Sequence, residues 1–370
     1  MEGYGDGDGD GEISRLPAVA LLGCGIFARD AYIPVLESLR FSASLRYVWS
    51  RSESKAEQML EKVRQFAPDV EAEWGDHGLE LILASPLVHC CAIALPILTQ
   101  PAVVMRALRA GKHVLQEKPV AGSVEVGLKA MAFYNALPTP ARPIWTVAEN
   151  YRFEPAFHAA AVMVKSLGTM VSVTVTIDVP MTNTNKYFGC EWRRDPALKG
   201  GFILDCGVHF VAGLRVMTGC DIKLVTAIAT HRDPAVPAPD TLTTLIKFDN
   251  GCAGSMVISY AAPISKASWR VACSKGTVTV ERGAMDNKFG YHLKLQPRGG
   301  SPTLQFFPLS GLEEEWHSFL ADVQNAINHV DPVDTRGSPR EALKDLAIVE
   351  AALASGLHSD APMSVKPQMV

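Results

Sequence analysis

The chain of 370 residues carries a net charge of -4, and 48% of its residues are hydrophobic and 20% are charged. This length favours two domains or one large domain, and the composition is that of an ordinary globular protein. The mildly acidic balance gives no electrostatic reason to expect a nucleic-acid partner. No apolar run reaches the roughly 20 residues that a membrane-spanning helix needs, so we expect no membrane partner either.

The chain begins with a segment rich in glycine and aspartate. Because such a composition buries little apolar surface, residues 1–14 are predicted to be a disordered acidic tail. The tail has the pattern of neither a secretory signal nor a transit peptide, so a cytoplasmic protein is expected. The eight cysteines show no Cys-x-x-Cys pair, and we therefore expect neither a metal site nor a disulfide framework.

Short apolar runs alternate with helical patterns through residues 15–150. Strands are predicted at 18–22, 45–49, 70–74, 88–95, 113–116 and 144–148. Helices are predicted at 29–39, 54–66, 101–110 and 123–135, and a short helix containing Leu79 and Ile82 follows the third strand. This alternation predicts an α/β domain built on a doubly wound parallel sheet, which is a Rossmann domain.

A glycine-rich turn follows the first predicted strand. It reads Gly-x-Gly-x-x-Ala, with Gly23, Gly25 and Ala28 at the fixed positions and Ile26 and Phe27 between them. The first glycine permits a tight turn, the second lets the backbone approach a pyrophosphate, and the small third residue lets the helix pack on the strand. Because a strand precedes the turn and a helix follows it, dinucleotide binding is favoured over a purely structural turn.

The second predicted strand ends at Ser50 and Arg51. In dinucleotide-binding folds this tip reads the adenosine ribose, and an acidic residue there binds the 2′-hydroxyl of NAD. A serine and an arginine suit the 2′-phosphate of NADP instead. We therefore predict NADP(H) as the preferred cofactor, and NAD(H) remains the alternative if Arg51 is only a solvated residue at the start of the next helix.

The pattern changes in residues 151–370, where polar and apolar residues alternate along several segments. A period of two is typical of half-buried antiparallel strands, predicted at 171–179, 241–248, 252–259, 268–273, 277–280 and 292–296. Helices are predicted at 155–167, 203–217, 312–328 and 339–355. The whole chain is thus predicted to be α/β plus α+β, with a mainly antiparallel open sheet in the second domain.

Charged residues that could carry chemistry end the fifth predicted strand, at Glu117 and Lys118. In the second domain Asp205 and His209 are four residues apart, which places them on one face of a helix. A partly buried lysine near another cation can have its pKa lowered enough to exchange a proton with a substrate oxygen, and His209 is the other candidate. The alternatives are a solvated lysine, a packed histidine and an aspartate that only caps the helix.

Four landmarks in fixed order carry a resemblance to a known family. They are the turn at 23–28, Ala-Gly-Lys-His-Val running into Glu117-Lys118-Pro119, Asn150 with Arg152, and Trp192-Arg193 followed by Gly-Gly and Asp205-x-Gly-x-His209. Together they resemble the glucose–fructose oxidoreductase / inositol dehydrogenase / rhizopine catabolism (Gfo/Idh/MocA) family. Gly-Ile-Phe-Ala-Arg, Ala-Glu-Asn-Tyr and Asn-Lys-Tyr are similar to a eukaryotic NADP-dependent subset.

The resemblance implies hydride transfer at a carbinol or carbonyl carbon, and an open sheet that commonly mediates homo-oligomers. The residues that it implies for catalysis are Lys118, Asp205 and His209. The residues expected to bind the cofactor are Gly23, Gly25, Ile26, Phe27, Ala28, Ser50, Arg51, Leu95, Glu117, Lys118 and Asn150. The residues expected to bind substrate are Arg152, Lys186, Trp192 and Arg193.

The leading prediction is therefore an NADP(H)-dependent oxidoreductase acting on a sugar, a polyol or a small aldehyde or ketone. Two alternatives stay open: an NADP-binding redox or metabolite sensor with little turnover, and a trans-dihydrodiol dehydrogenase-like enzyme. Gln100 and Ala212 stand where many family members carry a histidine and an aspartate. These departures leave the substrate open.

Overall fold

The structure is a computed structural model that describes residues 16–139, 142–358 and 361–365. The tail predicted at 1–14 lies outside the described residues. Within them the chain forms two β-sheets, each covered by helices.

The first sheet has six strands, all paired in parallel, in the order β3-β2-β1-β4-β5-β6. They are β1 (Ala18–Leu22), β2 (Ser44–Ser50), β3 (Glu71–Trp74), β4 (Cys90–Ile93), β5 (His113–Glu117) and β6 (Trp145–Ala148). The helices between them are a π-helical turn (Ala28–Tyr32) continued by α1 (Ile33–Ser38), then α2 (Glu53–Val63), α3 (Gly75–Ala84), α4 (Gln100–Arg109) and α5 (Val124–Asn135). The predicted Rossmann sheet is confirmed, and its strand order reverses between β1 and β4, where such sheets bind ligands.

The second sheet has nine strands in the order β14-β13-β12-β11-β7-β10-β9-β8-β15. They are β7 (Met170–Asp178), β8 (Ile222–Thr230), β9 (Thr241–Phe248), β10 (Ala253–Ser259), β11 (Lys266–Cys273), β12 (Gly276–Met285), β13 (Lys288–Pro297), β14 (Thr303–Pro308) and β15 (Met363–Ser364). Helices α6 (Pro155–Ser166), α7 (Gly201–Thr218), α8 (Gly311–Ile327) and α9 (Pro339–His358) lie before or between these strands in sequence. β7 and β10 pair in parallel and the other neighbours antiparallel, so the mainly antiparallel prediction is confirmed.

Three of these strands, β8, β14 and β15, are absent from the sequence prediction. The register of β8 shifts between Ile222 and Leu224, which interrupts the alternation that would identify it. β14 pairs only with β13 at one end of the sheet, and no residue of it is fully buried. β15 has two residues, too few for any period to be read.

The core of the second domain lies between its sheet and α6, α7 and α9. Val173, Val175 and Ile177 of β7 face this core and are almost fully buried, as the period of two predicts. Helix α7 is long and apolar enough to cross a membrane, but 78% of it is buried inside the molecule, which is the position of a core helix.

Helix α8 follows the second sheet in sequence and packs on the first sheet in space. Trp316, Phe319 and Leu320 are buried in one apolar cluster with residues of β1 and the π-helical turn, among them Tyr32. A division of the chain at residue 150 would therefore assign α8 by sequence to one domain while its side chains pack in the other. Helix α8 contacts α1, β6 and the residues just after β6.

Candidate active site

The glycine turn after β1 has the shape that a dinucleotide requires. Gly23 has φ +124°, and a Cβ there would lie 2.3 Å from the carbonyl oxygen of Ala94, just beyond β4, so only glycine fits. A Cβ on Gly25 would have nothing within 4 Å, which leaves the backbone open to a phosphate. Ala28 is fully buried where the helix packs, and the partly buried Ile26 and Phe27 precede it. The residues present therefore fit a dinucleotide.

The adenosine end of the site lies at the tip of β2. Ser50 is the last residue of the strand and is 7% exposed, and its Oγ accepts from the backbone N–H of Ser52 at 3.3 Å. Arg51 follows it and is exposed. Leu95, two residues after β4, is partly buried at the same edge of the sheet. All lie at the carboxyl ends of parallel strands, as expected for this fold.

Lys118 stands directly after β5 and reaches across to the second domain. Its Nζ donates to Oδ1 of Asp205 at 3.0 Å and to the Asp205 carbonyl oxygen at 2.9 Å. Nε of Arg193 donates to the other carboxylate oxygen of Asp205 at 2.7 Å. The side chains of Lys118 and Arg193 are each 11% exposed and that of Asp205 is 3% exposed. We call these three residues the Lys118 cluster.

The charges of the Lys118 cluster determine its protonation. Burial alone would lower the pKa of Lys118, but the attraction of the Asp205 carboxylate outweighs it and raises that pKa above its ordinary value. Burial would likewise raise the pKa of Asp205, and Lys118 and Arg193 together bring it below its usual range. The sequence expectation that the pKa of Lys118 is lowered is therefore wrong, because the nearest charge is an anion rather than a cation. The Asp205 carboxylate therefore favours the protonated form of the Lys118 amine.

His209 lies one turn after Asp205 on α7 and pairs with a carboxylate of the first domain. Its Nδ1 is 2.6 Å from Oε1 of Glu149, which directly follows β6 and is nearly fully buried. The imidazole stacks on the ring of Tyr151, with centroids 4.9 Å apart. A carboxylate on Nδ1 fixes the orientation of the ring and favours the tautomer in which Nε2 can accept a proton.

Glu149 and Tyr32 are two residues that the sequence interpretation did not assign. Glu149 stands at a strand end inside the Ala-Glu-Asn-Tyr motif, and that position is the signal that could have identified it. The hydroxyl of Tyr32 donates to Oε1 of Glu117 at 2.5 Å. Because 85 residues separate the two, no local pattern predicts this contact. Burial raises the pKa of Glu117 to about 7, so its carboxyl titrates near neutrality beside Lys118.

The structure does not bring all the expected substrate residues into this site. The guanidinium of Arg152 is buried and pairs with Asp345, near the far end of α7. Nζ of Lys186 pairs with Oδ2 of Asp30 at 2.8 Å, on the helix that follows the glycine turn. Trp192 does lie beside the cluster, with its ring 4.1 Å from the Arg193 guanidinium carbon. Asn150 is partly buried and opens a short 3-10 turn, Asn150–Arg152.

Comparisons with known proteins identify the family of the chain. Residues 18–135 match the oxidoreductase family with an NAD-binding Rossmann fold, and residues 159–279 match the GFO/IDH/MocA C-terminal domain. Dehydrogenase FPY6 of Fusarium mangiferae is 31% identical over 348 residues, which cover 91% of this chain and 95% of that protein. The chain belongs to the GFO/IDH/MocA oxidoreductase family.

Two further relatives extend the comparison. The crystal structure of an oxidoreductase from Thermotoga maritima superposes with a TM-score of 0.80 at 29% identity, covering 96% of this chain and all of that one. D-xylose 1-dehydrogenase (NADP(+)) 2 of Haloferax volcanii is 24% identical over 307 residues, 82% of this chain and 88% of its own. This GFO/IDH/MocA protein is therefore an NAD(P)-binding oxidoreductase.

Proposed function

We propose that this enzyme transfers a hydride between NADP(H) and a small metabolite that carries a hydroxyl or carbonyl group, such as a sugar, a polyol or an aldehyde. The observation that carries the proposal is the Lys118 cluster. It places a protonated amine of the first domain and a carboxylate of the second domain at the edge where the glycine turn opens. Substrates of open α/β sheets enter at this edge.

The proposed chemistry assigns a proton to Lys118. A bound nicotinamide supplies or accepts the hydride at the substrate carbon. In the reducing direction Nζ of Lys118 donates its proton to the carbonyl oxygen, which becomes a hydroxyl, and the neutral amine then regains a proton from solvent. The reverse direction needs a neutral Lys118, which the Asp205 carboxylate opposes. We therefore assign Lys118 as the general acid of the reducing direction.

His209 has a supporting role in this proposal. The Glu149 carboxylate holds Nδ1, so Nε2 is the ring atom left to hydrogen-bond a substrate hydroxyl or to exchange a proton with it. We assign proton transfer to Lys118 and substrate positioning to His209, and Asp205 stabilises the protonated form of Lys118. Arg193, and Trp192 beside it, complete the wall of the site.

The test of this function is turnover of NADPH with a panel of carbonyl sugars, aldehydes and ketones, followed by Lys118→Ala. General acid catalysis contributes roughly 10²- to 10⁴-fold, so kcat should fall by that range while NADPH binding persists. Lys112→Ala is the matched control, because its buried amine donates to the backbone carbonyls of Ser85 and Val88 and, in the part of the chain that the structure describes, to nothing in the Lys118 cluster. Unchanged turnover in Lys118→Ala would refute the catalytic assignment. Tight NADPH binding without turnover of any compound would favour a sensor.

The cofactor preference rests on the tip of β2. Arg51 is exposed directly after Ser50, and the first turn of α2 follows. We expect Arg51→Ala to weaken NADPH binding by about tenfold and to leave NADH binding nearly unchanged, because only NADPH carries a 2′-phosphate for the guanidinium. Arg64→Ala, an exposed arginine after the end of α2, is the control. An equal effect on both cofactors would contradict the preference.

We propose that the open face of the second sheet pairs with a second copy of the chain. Leu245 of β9 is 62% exposed and Ile228 of β8 is 57% exposed, and both lie on the face opposite the helices with Val257 of β10. Exposed apolar side chains on a broad sheet are typical of an interface. Leu245→Asp should convert the oligomer to a monomer in sedimentation velocity. A wild-type monomer at tens of micromolar would refute the proposal.

A further inference from the structure

A cavity of about 410 Å³ opens beside the start of α7. It is lined by the segments 193–201 and 231–238, and its walls hold Arg193, Arg194, Lys199 and His231. Asp195 is the one acidic side chain among its lining residues. The walls therefore carry an excess of positive charge, and the volume is within the range of small-molecule pockets.

Arg193 connects this cavity to the Lys118 cluster. Its Nε is held by Asp205, and its guanidinium lies 4.1 Å from the ring centre of Trp192 and 5.0 Å from that of Tyr187. In the described part of the chain, no hydrogen bond engages its two Nη groups. The guanidinium is thus fixed in place, with free N–H donors in a planar fork that matches a carboxylate or a phosphate.

The other cations of the cavity are similarly placed to bind an anion. Nη2 of Arg194 donates to the carbonyl oxygens of Phe188 and Ala235, each at 3.1 Å, which anchors its side chain against the segment 231–238. Lys199 is exposed and has no hydrogen-bond partner among the described residues. One carboxylate oxygen of Asp195 already accepts from the backbone N–H of Ala197 at 2.9 Å. One carboxylate against the three cations Arg193, Arg194 and Lys199 leaves the lining with an excess of positive charge.

The position of the cavity relative to α7 adds to this charge. Gly200 and Gly201 line it, and α7 begins at Gly201, so the positive end of the helix dipole lies at the cavity wall. Asp205 is one turn further along the same helix. Arg193 thus connects the two places, because its Nε contacts Asp205 and its side chain lines the cavity.

We propose that this cavity binds an anionic group of the substrate, a carboxylate or a phosphate, so that the enzyme acts on acidic rather than neutral sugars or polyols. The proposal rests on the proposed function, because it takes the reacting carbon to lie at Lys118. Arg193 orients the anionic end, and Arg194 and Lys199 contribute the charge that distinguishes an acid from its neutral counterpart.

The first test measures binding without turnover. Inorganic phosphate is titrated by calorimetry at constant ionic strength into the protein saturated with NADP⁺, so that the cofactor's own phosphate sites are filled. We expect the double variant Arg194→Gln/Lys199→Gln to bind phosphate at least about tenfold more weakly, since each lost charge-assisted hydrogen bond is of that order. Lys62→Gln/Arg64→Gln, an exposed pair at the end of α2, should bind it as the wild type does. Equal phosphate affinity in both double variants would overturn the proposal.

The second test measures selectivity with a neutral aldose, the matching uronic acid and the matching sugar phosphate. The ratio of kcat/KM for the acid or phosphate to that for the aldose should exceed one in the wild type and fall by about tenfold or more in Arg194→Gln/Lys199→Gln. The larger of the two ratios identifies carboxylate or phosphate as the anion. A neutral preference that is the same in both proteins would overturn the proposal. If no compound turns over but phosphate binding is lost in the double variant, the proposed function fails and the anion site stands.

Discussion

Helix α7 carries two buried ion clusters of similar construction, one near each end. In the first, Asp205 lies between Lys118 and Arg193. In the second, Asp345 lies between Arg152 and Arg215. The central carboxylates are 3% and 1% exposed, and the four cations are between 6% and 11% exposed. Burial therefore does not distinguish the two clusters.

Charge balance does distinguish them. In the second cluster Glu341 and Asp221 also accept from Arg215, and Lys344 pairs with both of them. Arg152, Arg215 and Lys344 are thus matched by three carboxylates, and the adjacent cavity of about 310 Å³ has no excess charge. The Lys118 cluster has two cations for one carboxylate and opens to the basic cavity. A network in which every cation is matched by a carboxylate is suited to stabilise the fold. A network with an unmatched cation beside a cavity is suited to bind and protonate a ligand.

Asp345→Ala is the change expected to have the largest effect on stability. It leaves two buried guanidiniums without their central carboxylate, and breaking a buried pair in this way costs about 3–5 kcal/mol. Urea denaturation should therefore show a large loss in the free energy of unfolding. The kcat of the protein that remains folded should match the wild type, because Asp345, on α9, pairs with Arg215 near the end of α7 opposite to Asp205. A large loss of kcat in the folded fraction would break the comparison.

The sequence predicted more of the first cluster than of the second, for a physical reason. Lys118 and Asp205 stand at a strand end and on a helix face, positions that local patterns identify, and the structure brings them together. The family resemblance implied that Arg152 binds substrate, yet its partner is Asp345, 193 residues away. Long-range pairing of this kind leaves no period or spacing in a single sequence. The same reason accounts for the missed contact between Tyr32 and Glu117.

Asp205→Asn tests the catalytic role of the Lys118 cluster through the pH dependence of turnover. The carboxylate is what raises the pKa of Lys118 against the effect of burial, so its loss should lower that pKa. Reduction needs the protonated amine, so kcat of the variant should decline at a lower pH than kcat of the wild type. Stopped-flow turnover of NADPH between pH 6 and about pH 10 should show this alkaline decline in the variant and none in the wild type, with kcat of the variant about tenfold lower at pH 10 than at pH 7. The same profile in both proteins would show that Lys118 is not the group that titrates.

Glu117→Gln tests whether the buried carboxyl of Glu117, beside Lys118, keeps its proton in the folded protein up to about neutral pH. Burial raises the pKa of Glu117 to about 7 from 4.5, so the native state holds a proton that the unfolded state releases. The free energy of unfolding should therefore fall as the pH rises from about 4.5 to 7, by on the order of 2–3 kcal/mol. Glu117→Gln removes this penalty and should gain stability over the wild type at pH 8 but not near pH 4.5. An equal difference at both pH values would contradict the buried, protonated carboxyl.

Lys186→Gln is expected to have the smallest effect on stability. It also breaks an ion pair between a cation and a carboxylate, but this pair is exposed rather than buried. Lys186 is 50% exposed and Asp30 is 27% exposed, so water and salt screen their attraction, and such pairs contribute about 0.2–1 kcal/mol. Lys129→Gln, which removes an exposed pair with Glu125 inside one helix, is the control. The two variants should lose similar small amounts of stability at low salt and almost none at high salt. A loss of unfolding free energy in Lys186→Gln comparable to that in Asp345→Ala would mean that the Lys186–Asp30 pair stabilises the contact between the second domain and the helix after the glycine turn. The exposure of an ion pair would then be a poor guide to its contribution to the stability of this fold.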